Sequence, residues 1–426
     1  MSQRSPIMFR ILSSIISHGV LEISFQNDQK GPPLIATGRK KGPQVTLQLE
    51  NKQVLKELTL RPELGFPETY MDGRLRLVDT SIDDFIIFLF LNKIQLSKTR
   101  FGKMMGGICH VSAFFNGAIK KRAAKANVAH HYDLTDTLYA LFLDERRQYS
   151  CAYYRTEDDT LDQAQRQKIA RLGAKLRLKK DSHILDIGCG WGELAFGLST
   201  LEKGLQVHGI TLSENQFDYA TNHVAKRPDK PSISFALQDY RDEQGRYDNI
   251  ISVGMLEHVG RKSFDAYFKM VDRCLLDEGT AVIHTIGKRR ACPVTSPFIT
   301  KYIFPGGYIP TLADLSKSLA KTDLHIADIE CMHNHYAETL LAWRTRCVAQ
   351  KERLIALYDE HFYRMWLFYL VSCEYFFRLD EGVVYQIQLI KTRDTKPSTR
   401  DYIAKTEKAY LKKLCQQNSP FGKPPP

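Results

Sequence analysis

The segment Leu185-Asp186-Ile187-Gly188-Cys189-Gly190-Trp191-Gly192-Glu193-Leu194 constrains this chain more than any other. An apolar strand runs into three glycines and then opens a helix. The glycines let the backbone turn sharply and approach a ligand, and the helix N-terminus supplies free N–H donors. Alone, the G-x-G-x-G spacing is weak; here Asp186 precedes it on the strand and the next strand ends about 20 residues later, as a ligand-binding corner requires. The flanking periodicity agrees. Strand signals at His183–Ile187, Gln206–Ile210, Ser232–Phe235, Tyr247–Val253 and Thr280–His284 alternate with helical stretches, the first an amphipathic helix over Gln163–Leu178. Such alternation predicts an α/β fold with a doubly wound parallel sheet.

At 426 residues the chain is too long for one ordinary core, and roughly 150 residues per domain suggests two or three. From Gly19 to Asn92 strand signals come first, at Val20–Phe25 and Val45–Leu49. A turn-rich stretch over Pro62–Pro67 and Tyr70–Gly73 follows. Asp79-Thr80-Ser81 then opens a helix ahead of the apolar run Phe85–Leu91. The prediction is a small N-terminal α+β domain over 1–92. Residues 93–130 read as a basic amphipathic linker: Lys93 to Lys125 contains no acid, and its cations interleave with Phe101, Met104, Met105, Phe114 and Phe115. That is either a solvated basic helix or a membrane-surface patch, where each cation near an anionic leaflet contributes about 1 kcal/mol. A catalytic domain over 131–415 and a frayed tail over 416–426 complete the chain.

Lys and Arg exceed Asp and Glu by 60 to 48, a net +12, which favours an anionic partner. No motif that reads nucleic acid accompanies the charge, so a membrane surface is the better match. The nine cysteines are scattered without a C-x-x-C pair, which fits a reduced cytoplasmic chain with neither disulfide scaffold nor metal site. His18 and Glu22 interrupt the N-terminal apolar residues, so no signal peptide is expected. Phe85–Leu91 is far short of the roughly 18 residues a spanning helix needs, which makes any membrane contact peripheral, at the inner leaflet.

A dinucleotide site would show Gly-x-Gly-x-x-Gly and an acid ending the second strand. Here the spacing is shorter and the second strand ends Gly209-Ile210-Thr211-Leu212-Ser213. The loop resembles instead the first motif of S-adenosylmethionine-dependent methyltransferases, and Asp186 suits a cationic, amino-acid-bearing ligand. Further segments fall into one order: His131-Tyr132-Asp133-Leu134, Tyr149-Ser150-Cys151-Ala152-Tyr153, Gly209 to Gln216, Gly254 to Gly260, His284-Thr285-Ile286-Gly287 and Lys301 to Gly307. Together they resemble the cyclopropane-fatty-acyl-phospholipid synthase family, which includes the mycolic-acid cyclopropane synthases, from Gly19 to about Lys391.

The resemblance implies a Rossmann-like class I methyltransferase sheet with helical lid insertions, commonly in a homodimer. It implies transfer of the sulfonium methyl of S-adenosylmethionine to a cis alkene in an unsaturated membrane phospholipid. A carbocation forms, a bound bicarbonate removes a proton from the new methyl, and the ring closes. Matching motif by motif, the bicarbonate pocket comprises Cys151 and Ile286 through backbone N–H groups, His284 and Tyr336 as side-chain donors, and Glu257 through a shared proton or by orienting His284. Cys373 matches a cysteine assigned to the family's active site, although the chemistry needs no thiol. Cofactor contacts carry over to Tyr149, Ser150, the span Asp186 to Leu194, Thr211, Leu212, Ser213, Gln216 and Leu256, with Gln238 and Asp239 beside the adenine. Plainer roles stand beside these: Glu257 as a helix cap, Tyr336 and Cys373 as packing, Cys189 as a small residue. The alternatives in function are a lipid methyltransferase leaving a branch or methylene, an amine N-methyltransferase on the same scaffold, and a basic binding protein that retains the fold.

Overall fold

Strands β5 (His183–Ile187), β6 (Gln206–Thr211), β7 (Ile233–Leu237), β8 (Tyr247–Val253) and β9 (Leu275–Lys288) carry apolar side chains on both faces, as strands covered by helices on either side must. The computed structural model describes residues 7–28, 31–98, 136–227, 232–290, 296–379, 382–392 and 399–416. The basic linker from residue 99, the His131-Tyr132-Asp133-Leu134 segment and the tail from residue 417 lie outside the described residues. The described residues fall into two units: one takes those up to 98 with 296–303 and 343–379, the other those from 136 to 290 with 304–342 and those from 382 on.

The second unit is built on a seven-stranded sheet of order β10-β11-β9-β8-β5-β6-β7, where β10 is His325–Met332 and β11 is Gly382–Ile390. β5, β6, β7, β8 and β9 are parallel, and β11 pairs antiparallel with both β9 and β10. Alternate residues feed two cores. Leu185, Ile187, Ile250 and Ile283 face the helices Phe264–Cys274 and Leu312–Leu319. Ile184, Val207, Ile251 and Val282 face the helices Leu161–Leu176, Glu193–Ser199 and Asp401–Cys415. The strand order reverses at β5, so the loop after β5 and the loop after β8 diverge and leave a crevice at the carboxyl edge. β10 and β11, absent from the sequence reading, extend the sheet past β9.

The first unit holds a four-stranded sheet of order β2-β1-β3-β4, with β1 at His18–Phe25, β2 at Leu34–Thr37, β3 at Lys40–Leu49 and β4 at Leu75–Val78. β1 and β3 are parallel, and the outer pairs are antiparallel. The stretch expected to be turn-rich is a helix, Pro62–Met71. Pro62 suits a first helical position, where no N–H is needed. Phe66, Pro67 and Met71 bury their side chains, and that packing outweighs the hydrogen bond Pro67 cannot donate. Phe66 meets Phe85 of the helix Ile82–Lys98, its ring centroid 5.8 Å away.

Candidate active site

The loop after β5 is glycine-rich because its conformation demands it. Gly188, Gly190 and Gly192 have φ of +78°, +55° and +85°, a region that costs other L-residues roughly 1–2 kcal/mol. A β-carbon on Gly192 would stand 2.6 Å from the Phe235 ring, whereas one on Gly190 would meet nothing within 4 Å. The loop is held down by the Gly188 and Cys189 N–H groups, which donate to the Ile210 carbonyl at 2.9 and 3.1 Å.

Above it lies a cavity at the carboxyl edge of the sheet. Its walls are Tyr149 and Ser150, then Asp186, Gly188, Cys189, Gly190, Trp191 and Leu194 around the loop. Thr211, Leu212 and Gln216 after β6, Gln238, Asp239 and Tyr240 after β7, and Met255 and His258 after β8 complete them. Of the expected cofactor contacts, Gly192, Ser213 and Leu256 are not part of this lining. Gly192 makes the turn into the helix Glu193–Ser199, Ser213 Oγ accepts the Gln216 N–H at 3.3 Å, and Leu256 is buried in the core. Tyr139 packs edge-on against both Tyr149 and Trp191, at 5.3 and 5.6 Å between centroids, and so braces an aromatic wall.

Asp186 is 1% exposed, and neither carboxylate oxygen has a hydrogen-bond partner. Burial pushes its pKa up to about 7, against the opposing Lys168 ammonium. A buried carboxylate without donors fits a ligand that brings its own cation. Asp239, by contrast, is already engaged: Arg241 donates to its two oxygens at 2.8 and 2.6 Å. The donor set matches an amino-acid-bearing sulfonium nucleoside: an acid for the ammonium group, aromatic faces for positive charge, and open backbone at Gly190.

Beside this cavity the structure joins Glu257 to β9. Glu257 lies in a short 3₁₀ turn, Leu256–His258, and its Oε1 accepts the Ile286 N–H at 2.6 Å. Its carboxyl turns to β9, so it caps no helix. Oε2 is buried without a partner, and burial raises the pKa to about 7. The Ile286 N–H, expected to face an anion, is thus given to Glu257. His284, two residues earlier on β9, is buried and held well below its ordinary pKa, first by desolvation and then by Lys168. Gln386 Nε2, on β11, lies 3.2 Å from His284 Nδ1; with the amide donating there, the ring proton would sit on Nε2.

Cys151 is buried, with its thiol pushed far up by burial and its Sγ directed to the Ala152 carbonyl at 3.2 Å. The Ala152 N–H donates to Thr339 Oγ1 at 3.0 Å, which ties this segment to the helix His335–Ala349. Tyr336 is half-buried in the first turn of that helix. Cys373 belongs to the first unit, on the helix Glu360–Leu379, its thiol raised to about 12 by burial. Sequence reasoning missed Lys168 and Gln165. The available signal was a break in pattern: Gln165, Lys168 and Lys175 fall on the helix face that also carries Leu161, Ala164 and Leu172.

Comparison with known proteins adds relatives to this geometry. The chain is 34% identical to the cyclopropane-fatty-acyl-phospholipid synthase of Escherichia coli K12, over 80% of this chain and 86% of that protein. It is 38% identical to the tuberculostearic acid methyltransferase UfaA1 of Mycobacterium tuberculosis, over 63% of this chain and 65% of the relative. A crystal structure of the mycolic acid cyclopropane synthase CmaA1 complexed with SAH and CTAB superposes with a TM-score of 0.59 at 33% identity, covering 62% of this chain and 97% of that one. The family model for mycolic acid cyclopropane synthetase matches residues 119–387, a span that takes in the glycine loop, the Glu257 turn and the β9 residues alike. With that match lying over a doubly wound sheet whose cavity opens at the strand-order reversal, the chain belongs to the mycolic acid cyclopropane synthetase family.

Proposed function

We propose that this protein is an S-adenosylmethionine-dependent methyltransferase that adds one carbon across the cis double bond of an unsaturated phospholipid acyl chain, closing a cyclopropane ring. The observation that carries this reading is Glu257: a buried carboxyl with one oxygen on the Ile286 N–H, the other unpartnered, and a pKa raised to about 7. A residue so poised can share a proton with an anion that a plain carboxylate would repel. When bound, S-adenosylmethionine supplies an electrophilic methyl, and bicarbonate supplies the base for a proton on the added carbon.

The chain's own residues do the rest. Asp186 meets the ammonium group, and the glycine loop lets the backbone come close. Tyr149 and Trp191 offer aromatic faces to positive charge, which favours both the sulfonium and the cation developing on the acyl chain. His284 presents an Nε2 proton and Glu257 a shared one, so these two would hold the anion, with Tyr336 as a third donor. An alkene is a poor nucleophile, so orientation in a water-poor site supplies most of the rate. Cys373 would have no step of its own. The small N-terminal region and the basic linker would bring the enzyme to an anionic bilayer from the cytoplasmic side, and the assembly would be a homodimer. Among the described residues no helix is long and apolar enough to cross a membrane.

The test is incubation of the purified chain with S-adenosylmethionine and vesicles of unsaturated phospholipid. The expected result is a mass gain of one CH2 per modified acyl chain, with gas chromatography of the esters giving the cyclopropane retention. A methyl-branched ester would transfer the reading to the branch-forming alternative. Unchanged acyl chains with methylation of a soluble amine would overturn it.

A further inference from the structure

Among the polar side chains that the helix Leu161–Leu176 buries, Gln165 and Lys168 stand one turn apart, and both are fully buried. Both reach the segment 148–150, which forms one wall of the cavity. Gln165 Nε2 donates to the Gln148 carbonyl at 3.2 Å and to the Ser150 carbonyl at 3.0 Å. Lys168 Nζ donates to Ser150 Oγ at 2.8 Å. The same helix continues the hold farther along, where the Ala164 carbonyl accepts the Tyr153 N–H and Gln167 Oε1 accepts the Arg155 N–H. Packing alone has no use for a cation here, since a buried ammonium is costly without compensating charge.

The compensation comes from two acids. Asp144 lies just upstream of the cavity wall, and Asp186 lies in the cavity itself. The Lys168 charge acts on both, and it acts on Cys151 and His284 as well.

We propose that Lys168 is a positioning residue for the methyl donor: its buried ammonium fixes Ser150 in the wall of the cavity that Asp186 also lines. The inference rests on reading the cavity as the S-adenosylmethionine site. The same cation acts against burial at Asp186, lowering a proton affinity that desolvation raises. Gln165 shares the mechanical part of this work and has no electrostatic part.

The test is titration calorimetry of the full chain with S-adenosylhomocysteine, which keeps the ammonium group, alongside the ligand-free melting midpoint. Lys168→Met preserves stem volume and should weaken binding by about tenfold or more, the effect expected for losing a charge-assisted hydrogen bond. Adding Asp144→Asn removes the stranded acid. The midpoint should then return towards that of the parent while binding stays weak. A merely structural Lys168 would instead recover both together, so binding of the double variant within about twofold of the parent overturns the proposal. Should neither variant fold, Ser150→Ala removes only the hydroxyl that Lys168 holds; severalfold weaker binding supports the proposal, and unchanged binding overturns it. Absence of binding by the parent itself would overturn the assigned cavity and this inference with it.

Discussion

Glu257 is raised by burial from its ordinary 4.5 to about 7, so the folded chain prefers it protonated. An acid shifted upward contributes its stability below its unfolded pKa and loses it as pH rises through the folded value. Here that window runs from about 4.5 to 7. Glu257→Gln keeps an oxygen for the Ile286 N–H and cannot ionise. Its urea stability should match the parent's near pH 4 and exceed it by on the order of 3 kcal/mol at pH 8, at about 1.4 kcal/mol per pKa unit. Turnover should fall by roughly 10²–10⁴, the usual worth of a proton-handling group. Equal pH profiles for the two proteins would mean that Glu257 is ionised in the fold. Its sequence context, Met255-Leu256-Glu257-His258, resembles a family motif, yet neither its orphaned oxygen nor its link to β9 is visible there.

The glycine loop shows how far a single element is written in its own residues. Positive φ at Gly188, Gly190 and Gly192 is a local demand, which is why their spacing announced the corner. What each position faces is not local. Gly190→Ala, opening on the cavity, should cost only the roughly 1 kcal/mol of a left-handed alanine while weakening S-adenosylhomocysteine binding. Gly192→Ala, driven against Phe235 and Ala220, should cost about 2–4 kcal/mol, the same strain with an overpacking penalty added. Thermal melts and calorimetry of the two variants check this; the reverse order would mean that Gly190 does not face the ligand. The helix Pro62–Met71 shows the opposite case, where prolines and a glycine read as turns and burial overrode them. The place of β10 and β11 in the sheet is not written locally either, because it is secured by cross-strand partners distant in the chain.

At the scale of the whole molecule the net charge of +12 sets how the protein meets other bodies. Co-sedimentation with phosphatidylglycerol vesicles should be strong at low salt and fall several-fold as ionic strength passes about 0.1 M, where the screening length is about 10 Å. Binding that ignores salt, or that is equal on neutral vesicles, would argue against a charge-led peripheral contact. The unit boundaries are also a whole-molecule property. Residues 296–303 and 343–379 cluster with the N-terminal sheet although they lie within the span of the catalytic sheet's strands. The sequence by itself determined the alternating strands, the glycine corner and the family, because periodicity, backbone handedness and motif order are carried by neighbouring residues. Only the tertiary structure decided that Ala152 meets Thr339 across 187 positions, that Glu257 reaches Ile286 across 29, and that Lys168 lies buried against the cavity wall. Burial, and the proton affinities that follow from it, arise from side chains that the linear order keeps apart.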